Sequence, residues 1–93
     1  MIVGTLELEL FLPGASSLKE KRAVLNRAKD RVRARFNAAV AEVGHQELWQ
    51  RARLGVAVVS HEGSGCRDLL SAIRRSIEQD DRLVIVDDVL DIR

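Results

Sequence analysis

Aromatic side chains are almost missing from this chain: Phe11, Phe36 and Trp49 stand alone, and there is no tyrosine. A core without rings has to be assembled from Val, Leu, Ala and Ile, the bulk of an apolar fraction of 46%. Cys66 is the only cysteine, which excludes an internal disulfide and points to a reducing compartment. No apolar run approaches the ~18–20 residues that cross a bilayer, and no basic-then-apolar leader precedes a cleavage site. No membrane association and a cytoplasmic location are therefore expected.

The usual catalytic signatures are also missing. There is no Ser-His-Asp pattern, no phosphate-binding glycine loop, and no carboxylate pair with a partner base. His61, Glu62 and Cys66 lie close together, but ligands at i, i+1 and i+5 match no zinc spacing. Cys66 opens an apolar stripe and reads as a core residue. The expectation is no metal, no cofactor and no catalysis.

What the chain does have is charge, unevenly placed. The formal net charge is only +1, yet residues 17–36 (SLKEKRAVLNRAKDRVRARF) carry Lys19, Lys21, Arg22, Arg27, Lys29, Arg31, Arg33 and Arg35 against Glu20 and Asp30. Residues 78–93 reverse the balance, with Glu78, Asp80, Asp81, Asp87, Asp88 and Asp91 against Arg82 and Arg93. Either the acidic segment neutralises the basic one, within the fold or across a dimer, or the basic segment faces an outside polyanion.

Periodicity supplies the elements. Residues 2–12 alternate, with Leu6, Leu8, Leu10 and Leu12 on one face and Thr5, Glu7, Glu9 and Phe11 on the other, the mark of a half-buried strand. Pro13-Gly14 ends it. Ser17 with Glu20 three residues on reads as a capping box, and Leu18, Leu25, Ala28, Val32 and Phe36 form the inward stripe of a helix. Residues 38–43 are a short strand ending at Gly44, and 51–60 a central one. The stretch HEGSG reads as a loop; Cys66, Leu69, Leu70, Ile73 and Ile77 then mark a second helix ending near Gln79. A last strand follows from Leu83, with a bulge or bend expected where Asp88 interrupts its apolar face.

Ninety-three residues in the order strand, helix, strand, strand, helix, strand suit one domain over 1–93. The expected fold class is α+β: a ferredoxin-like βαββαβ sandwich, with a four-stranded antiparallel sheet and two helices on one face. Right-handed crossovers put the first and third strands at the centre. The opposite sheet face, with Thr5, Glu7, Glu9, Arg51 and Arg53, is left uncovered.

Two segments of this sequence are individual enough to compare. MIVGTLELELFLPGASSLKEKR, followed by FNAAVAEVGHQELWQRARLGVAVVS, resembles the bacterial YlxP-like family of small uncharacterised domains, carried chiefly by SLKEKR and AEVG-H-x-x-L-W-Q-R. The likeness covers nearly the whole chain but carries nothing over to residues 61–66 or the last ten. It implies a ferredoxin-like fold, no assigned catalytic activity, and a loose association with translation and ribosome maturation.

Three regions can carry function. At 100° per residue, Arg27, Arg31 and Arg35 lie along one side of the apolar stripe and Lys19, Arg22, Lys29 and Arg33 along the other. Like charges four apart cost ~0.2–0.5 kcal/mol per pair, so packing alone does not favour them. They suit a phosphate-contacting rail; the plain alternative is a solvated face whose arginine stems cover the core edge. The turn from Pro13 to Arg22 resembles an anion cradle, with an ordinary capped helix as its alternative. His45, Gln46 and Trp49 form a loop that either recognises a partner or folds back onto the core. Base stacking on the open sheet face is not expected, because carboxylates line it and Phe11 is its only aromatic.

The leading expectation is a non-catalytic domain that engages structured RNA or a ribosomal particle through the basic helix, with Lys19, Lys21, Arg22, Arg27, Lys29, Arg31, Arg33 and Arg35 on phosphates. His45, Gln46 and Trp49 would add local selectivity. The alternative is a homodimeric interaction module, joined through the open sheet face or an edge strand, with the acidic C-terminal segment neutralising the basic helix.

Overall fold

The computed structural model describes residues 1–93. Strand β1 (Ile2–Phe11), helix α1 (Leu18–Arg35), strands β2 (Ala39–Gly44) and β3 (Arg51–Ser60), helix α2 (Gly63–Glu78) and strand β4 (Val84–Ile92) follow in the expected order. The strands form one sheet in the order β2-β3-β1-β4, every neighbouring pair antiparallel. The first and third strands are central, and the α+β ferredoxin-like sandwich is the fold.

One cluster of buried side chains explains why both helices lie on the same face. The even-numbered residues of β1 (Leu6, Leu8, Leu10) and of β3 (Ala52, Leu54, Val56, Val58) meet Leu25, Ala28 and Val32 of α1 and Cys66, Leu70, Ile73 and Ile77 of α2. Burying a side chain of this size stabilises by ~1.5–3 kcal/mol, so one register slip of β1 would lose several such terms at once. The closest approach is at Gly4, where an added Cβ would stand 2.9 Å from the Cβ of Cys66. A larger residue there would push α2 off the sheet.

Helix α1 starts as expected. Ser17 is the N-cap, and its hydroxyl accepts from the Glu20 amide at 3.1 Å. The reciprocal half of the capping box is displaced by one residue: Glu20 accepts from the amide and hydroxyl of Ser16 at 2.8 and 2.9 Å rather than from Ser17.

Two boundaries differ from the sequence reading. Helix α2 begins at Gly63, inside the stretch expected to be a loop. Its first turn packs so tightly that a Cβ at Gly65 would stand 2.7 Å from Ser60 Oγ; small residues there serve contact rather than chain freedom. The irregularity of β4 lies opposite Glu9 and Leu10, between Ile85 and Asp87, just before the expected position at Asp88. Past it, Asp88 turns to the helix side and meets Arg74 Nε of α2 at 2.7 Å.

Both edges of the sheet are guarded. On β2, Arg33 reaches back from α1 and donates to the Val40 carbonyl at 2.8 Å. On β4, the bulge and the run of aspartates discourage pairing with another strand.

Candidate functional site

The two recognisable sequence segments meet at one corner of the molecule. Lys21, from SLKEKR, is only 1% exposed, the most buried charged residue in the chain. Its ammonium donates to the His45 carbonyl at 2.6 Å and lies 2.8 Å from Glu42 Oε2. That carboxylate oxygen is buried and makes no directed hydrogen bond, so charge holds the pair. Taking a cation out of water costs several kcal/mol and is tolerated only with partners of this kind. Lys21 is expected from the sequence to contact an anion or phosphate; it is instead a structural pin between α1 and the end of β2, and it cannot reach an outside phosphate.

The pin fixes the β2–β3 connection. His45 has a φ of 59°, a left-handed backbone uncommon for a residue with a side chain, and it turns the chain out of β2. The Leu48 amide closes a turn onto the His45 carbonyl at 3.1 Å. Gln50 anchors the far end by donating to the Pro13 and Ala15 carbonyls, both at 3.2 Å, and its own carbonyl accepts from the Leu12 amide at 2.9 Å. The three expected loop residues then separate. Trp49 is 54% exposed, with Leu48 beside it at 48%, so the ring does not fold back onto the core. His45 points to the sheet, where its Nε2 lies 3.1 Å from Oε1 and 2.9 Å from Oε2 of Glu9. Gln46 makes only a long contact, 3.5 Å, to the Glu42 carbonyl.

The anion cradle at the start of α1 is occupied by the chain itself. Glu20 takes the Ser16 amide and hydroxyl, and these hydrogen bonds hold its carboxyl below the ordinary glutamate value. An external oxyanion would have to displace it, so the plain capped helix stands.

Along α1 the basic side chains fall into two groups. Arg31 pairs with Asp80 at 3.1 Å, and Arg33 holds the Val40 carbonyl with Asp30 at 3.8 Å. Together with Lys21 these three are engaged within the fold. Lys19, Arg22, Arg27, Lys29 and Arg35 have no carboxylate within 4.0 Å. The acidic C-terminal segment leaves them alone: Asp88 and Glu78 hold Arg74, Asp91 holds Arg93, and only Asp80 reaches α1. Asp80 also accepts from the Arg82 amide and guanidinium at 2.8–3.0 Å, which holds its carboxyl far below the usual range.

The open sheet face is a different surface. Glu9 is its hub, bridged by Arg53 at 3.3 Å, Arg51 at 4.0 Å and His45. Arg53 reaches Glu7 as well, at 3.5 Å, and Arg51 lies over the Phe11 ring at 5.4 Å from its centroid. Ring and charges there are already used. Beyond the network the face becomes a shallow depression of about 610 Å³ floored by Ala39, Ala41, Gly55 and Ala57. Glu9 and Asp80 act as the sequence allows, one pairing with arginines across the open face and one neutralising part of α1, whereas Glu42 is an organising residue that the sequence analysis does not single out. For Glu42 a signal existed, since it follows Val40 on the inward face of β2.

A family model described as Protein of unknown function (DUF503) matches residues 3–89. The chain belongs to this family. It is 48% identical over 59 residues to the Uncharacterized protein YlxP of Bacillus subtilis (strain 168), an alignment covering 63% of this chain and 64% of that protein. The match thus spans just under two thirds of that relative's length. Among solved structures, a de novo designed protein with a ferredoxin fold, LFR1 1, superposes with a TM-score of 0.60 at 14% identity, covering 100% of this chain and 86% of the other. A C-terminal segment of the alpha subunit of aIF2 from Pyrococcus abyssi gives 0.51 at 15% identity, covering 99% and 48%. These likenesses show the fold. No helix of the protein is long and apolar enough to cross a membrane.

Proposed function

We propose that this protein is a non-catalytic binding domain that engages structured RNA, free or in a ribosomal particle, through the outer surface of α1. The observation that carries the reading is the set of cations on that helix, Lys19, Arg22, Arg27, Lys29 and Arg35, that no carboxylate of the chain neutralises. Helix α1 is 18 residues long, roughly 27 Å at 1.5 Å per residue, so its cations can address several phosphates in succession. Contacts of this kind give affinity that falls steeply with salt and carry little sequence information. The domain's +1 net charge does not oppose this, because α1 alone carries eight cations against only Glu20 and Asp30.

Electrophoretic mobility of ribosomal RNA across a salt series tests the reading. Retardation is expected at ~50 mM salt and should fade by ~200 mM. A complete lack of retardation at ~50 mM would end it.

A second reading, a homodimer through the open sheet face, is favoured by exposed Val43 and Val89, which line the shallow depression. Neutralisation of α1 by the acidic C-terminal segment is limited within the chain to the Asp80–Arg31 pair. Sedimentation over a concentration series distinguishes this reading, since a dimer changes mass on dilution without RNA.

A further inference from the structure

We infer that Trp49 is a stacking platform for an unpaired nucleobase, placed beside the basic rail so that α1 holds the backbone of an RNA while the indole takes one base from it. This rests on the reading of α1 as a phosphate-binding surface and adds the kind of nucleotide that the corner accepts.

Three observations carry it. The first is that the ring is presented rather than stored: Trp49 is 54% exposed and its indole N–H makes no hydrogen bond, although tryptophan is a residue whose burial a small core would use. The second is that the backbone beneath it is held from both ends. Lys21 grips the His45 carbonyl on one side, and Gln50 grips the Pro13 and Ala15 carbonyls on the other. A platform already ordered loses little further entropy when a base stacks on it. The third is position. Lys21 ties this loop to the N-terminal end of α1, the end of the helix that also carries Lys19 and Arg22 on its exposed side, both free of carboxylates.

Base stacking on an aromatic is tolerant of sequence, because every base has a π-face, but it needs that face to be free. A base inside a duplex has both faces covered by its neighbours. The ligand chemistry is therefore a single-stranded nucleotide, such as a loop or bulge within a folded RNA. The open sheet face does not compete for it: its one ring, Phe11, lies under Arg51.

The chain has one tryptophan and no tyrosine, so its emission reports this ring alone. The experiment titrates the 93-residue protein at ~50 mM salt with a single-stranded 12-nucleotide RNA, and separately with a blunt 12-base-pair RNA duplex, each carrying a fluorescein label. Label anisotropy reads binding; tryptophan emission reads stacking. The expected result is an anisotropy rise with both RNAs and quenching of Trp49 only with the single strand. Trp49→Ala should weaken the single-strand complex about tenfold and leave the duplex unchanged, while Trp49→Phe should retain most of the affinity.

If anisotropy rises with both RNAs but emission stays constant, the platform is overturned and the phosphate rail stands. Equal quenching by duplex and single strand also overturns it. If anisotropy does not rise with either RNA, rail and platform fall together. If emission changes with protein concentration in the absence of RNA, the ring belongs to a contact between copies, and the proposal is again overturned.

Discussion

The two helices lie side by side on one face of the sheet, yet they carry very different loads of positive charge. Helix α2 carries Arg67, Arg74 and Arg75 against Asp68 and Glu78; Arg74 is tied to both Glu78 and Asp88 of β4, while Arg67 and Arg75 have no carboxylate within 4.0 Å. Helix α1 carries eight cations, buries one of them completely, and leaves Lys19, Arg22, Arg27, Lys29 and Arg35 unpaired. Charge in a small fold can be fastening or offering. Only the geometry separates the two, because an arginine at a fastened position and one at a free position look alike in the sequence.

The contrast can be broken most severely at Lys21. Lys21→Ala leaves Glu42 and the His45 carbonyl facing each other without a cation, and a loss of ~3–5 kcal/mol in urea denaturation is expected. Lys21→Met combined with Glu42→Gln, which removes both charges and keeps volume, should recover a large part of it. If Lys21→Ala is as harmless as a surface substitution, the pin between α1 and the β2–β3 loop does not exist.

Asp80 comes next, as the one carboxylate that joins the C-terminal segment to α1. Asp80→Asn is expected to cost about 2 kcal/mol, the range for hydrogen bonds to a charged group. The sign of its pH dependence follows from the depressed carboxyl. The stabilisation is complete at neutral pH and is lost progressively as pH falls below about 4 toward the folded-state value. The gap between the thermal melts of wild type and Asp80→Asn should therefore be constant from pH 7 to about pH 4 and narrow from there to pH 2.

Arg74→Gln, on α2, should cost ~0.5–1 kcal/mol by releasing Glu78 and Asp88. It should leave RNA retardation unchanged. The smallest effect belongs to the rail itself: Arg22, Arg27, Lys29 and Arg35 changed together to Gln should alter stability by less than ~0.5 kcal/mol per site. A large loss of stability there would mean that these side chains fasten something after all.

How much of this was legible beforehand depends on what each residue type signals. The alternation in β1 and the 3-4 spacing in α2 were strong enough to place the sheet and its covering helices, because period alone decides which face is buried. Charge alone sets Lys21 among the phosphate-contacting residues, whereas its position sets it in the core. At i+3 from Leu18 and i−4 from Leu25 it stands in the apolar stripe, and spacing should have outweighed residue type. Its partner on β2 was visible in the same way, as a glutamate on an inward face. The early start of α2 was hidden because glycine and serine are poor helix formers, and the tight packing of Gly65 against Ser60 has no signature in the chain. The exposure of Trp49 was equally hidden: a turn pinned from residues 24 and 37 positions away cannot be read from local sequence.

The most direct test of the division between fastened and free cations is the slope of log affinity against log salt for a structured RNA, measured for the wild type and for the Arg22, Arg27, Lys29 and Arg35 to Gln variant. Each phosphate contact contributes ~0.7–0.9 to that slope. The account predicts a wild-type slope that drops by about 2–3 in the variant, with affinity at ~50 mM salt reduced at least tenfold and the melting curve unchanged. An identical slope for the two proteins would contradict it.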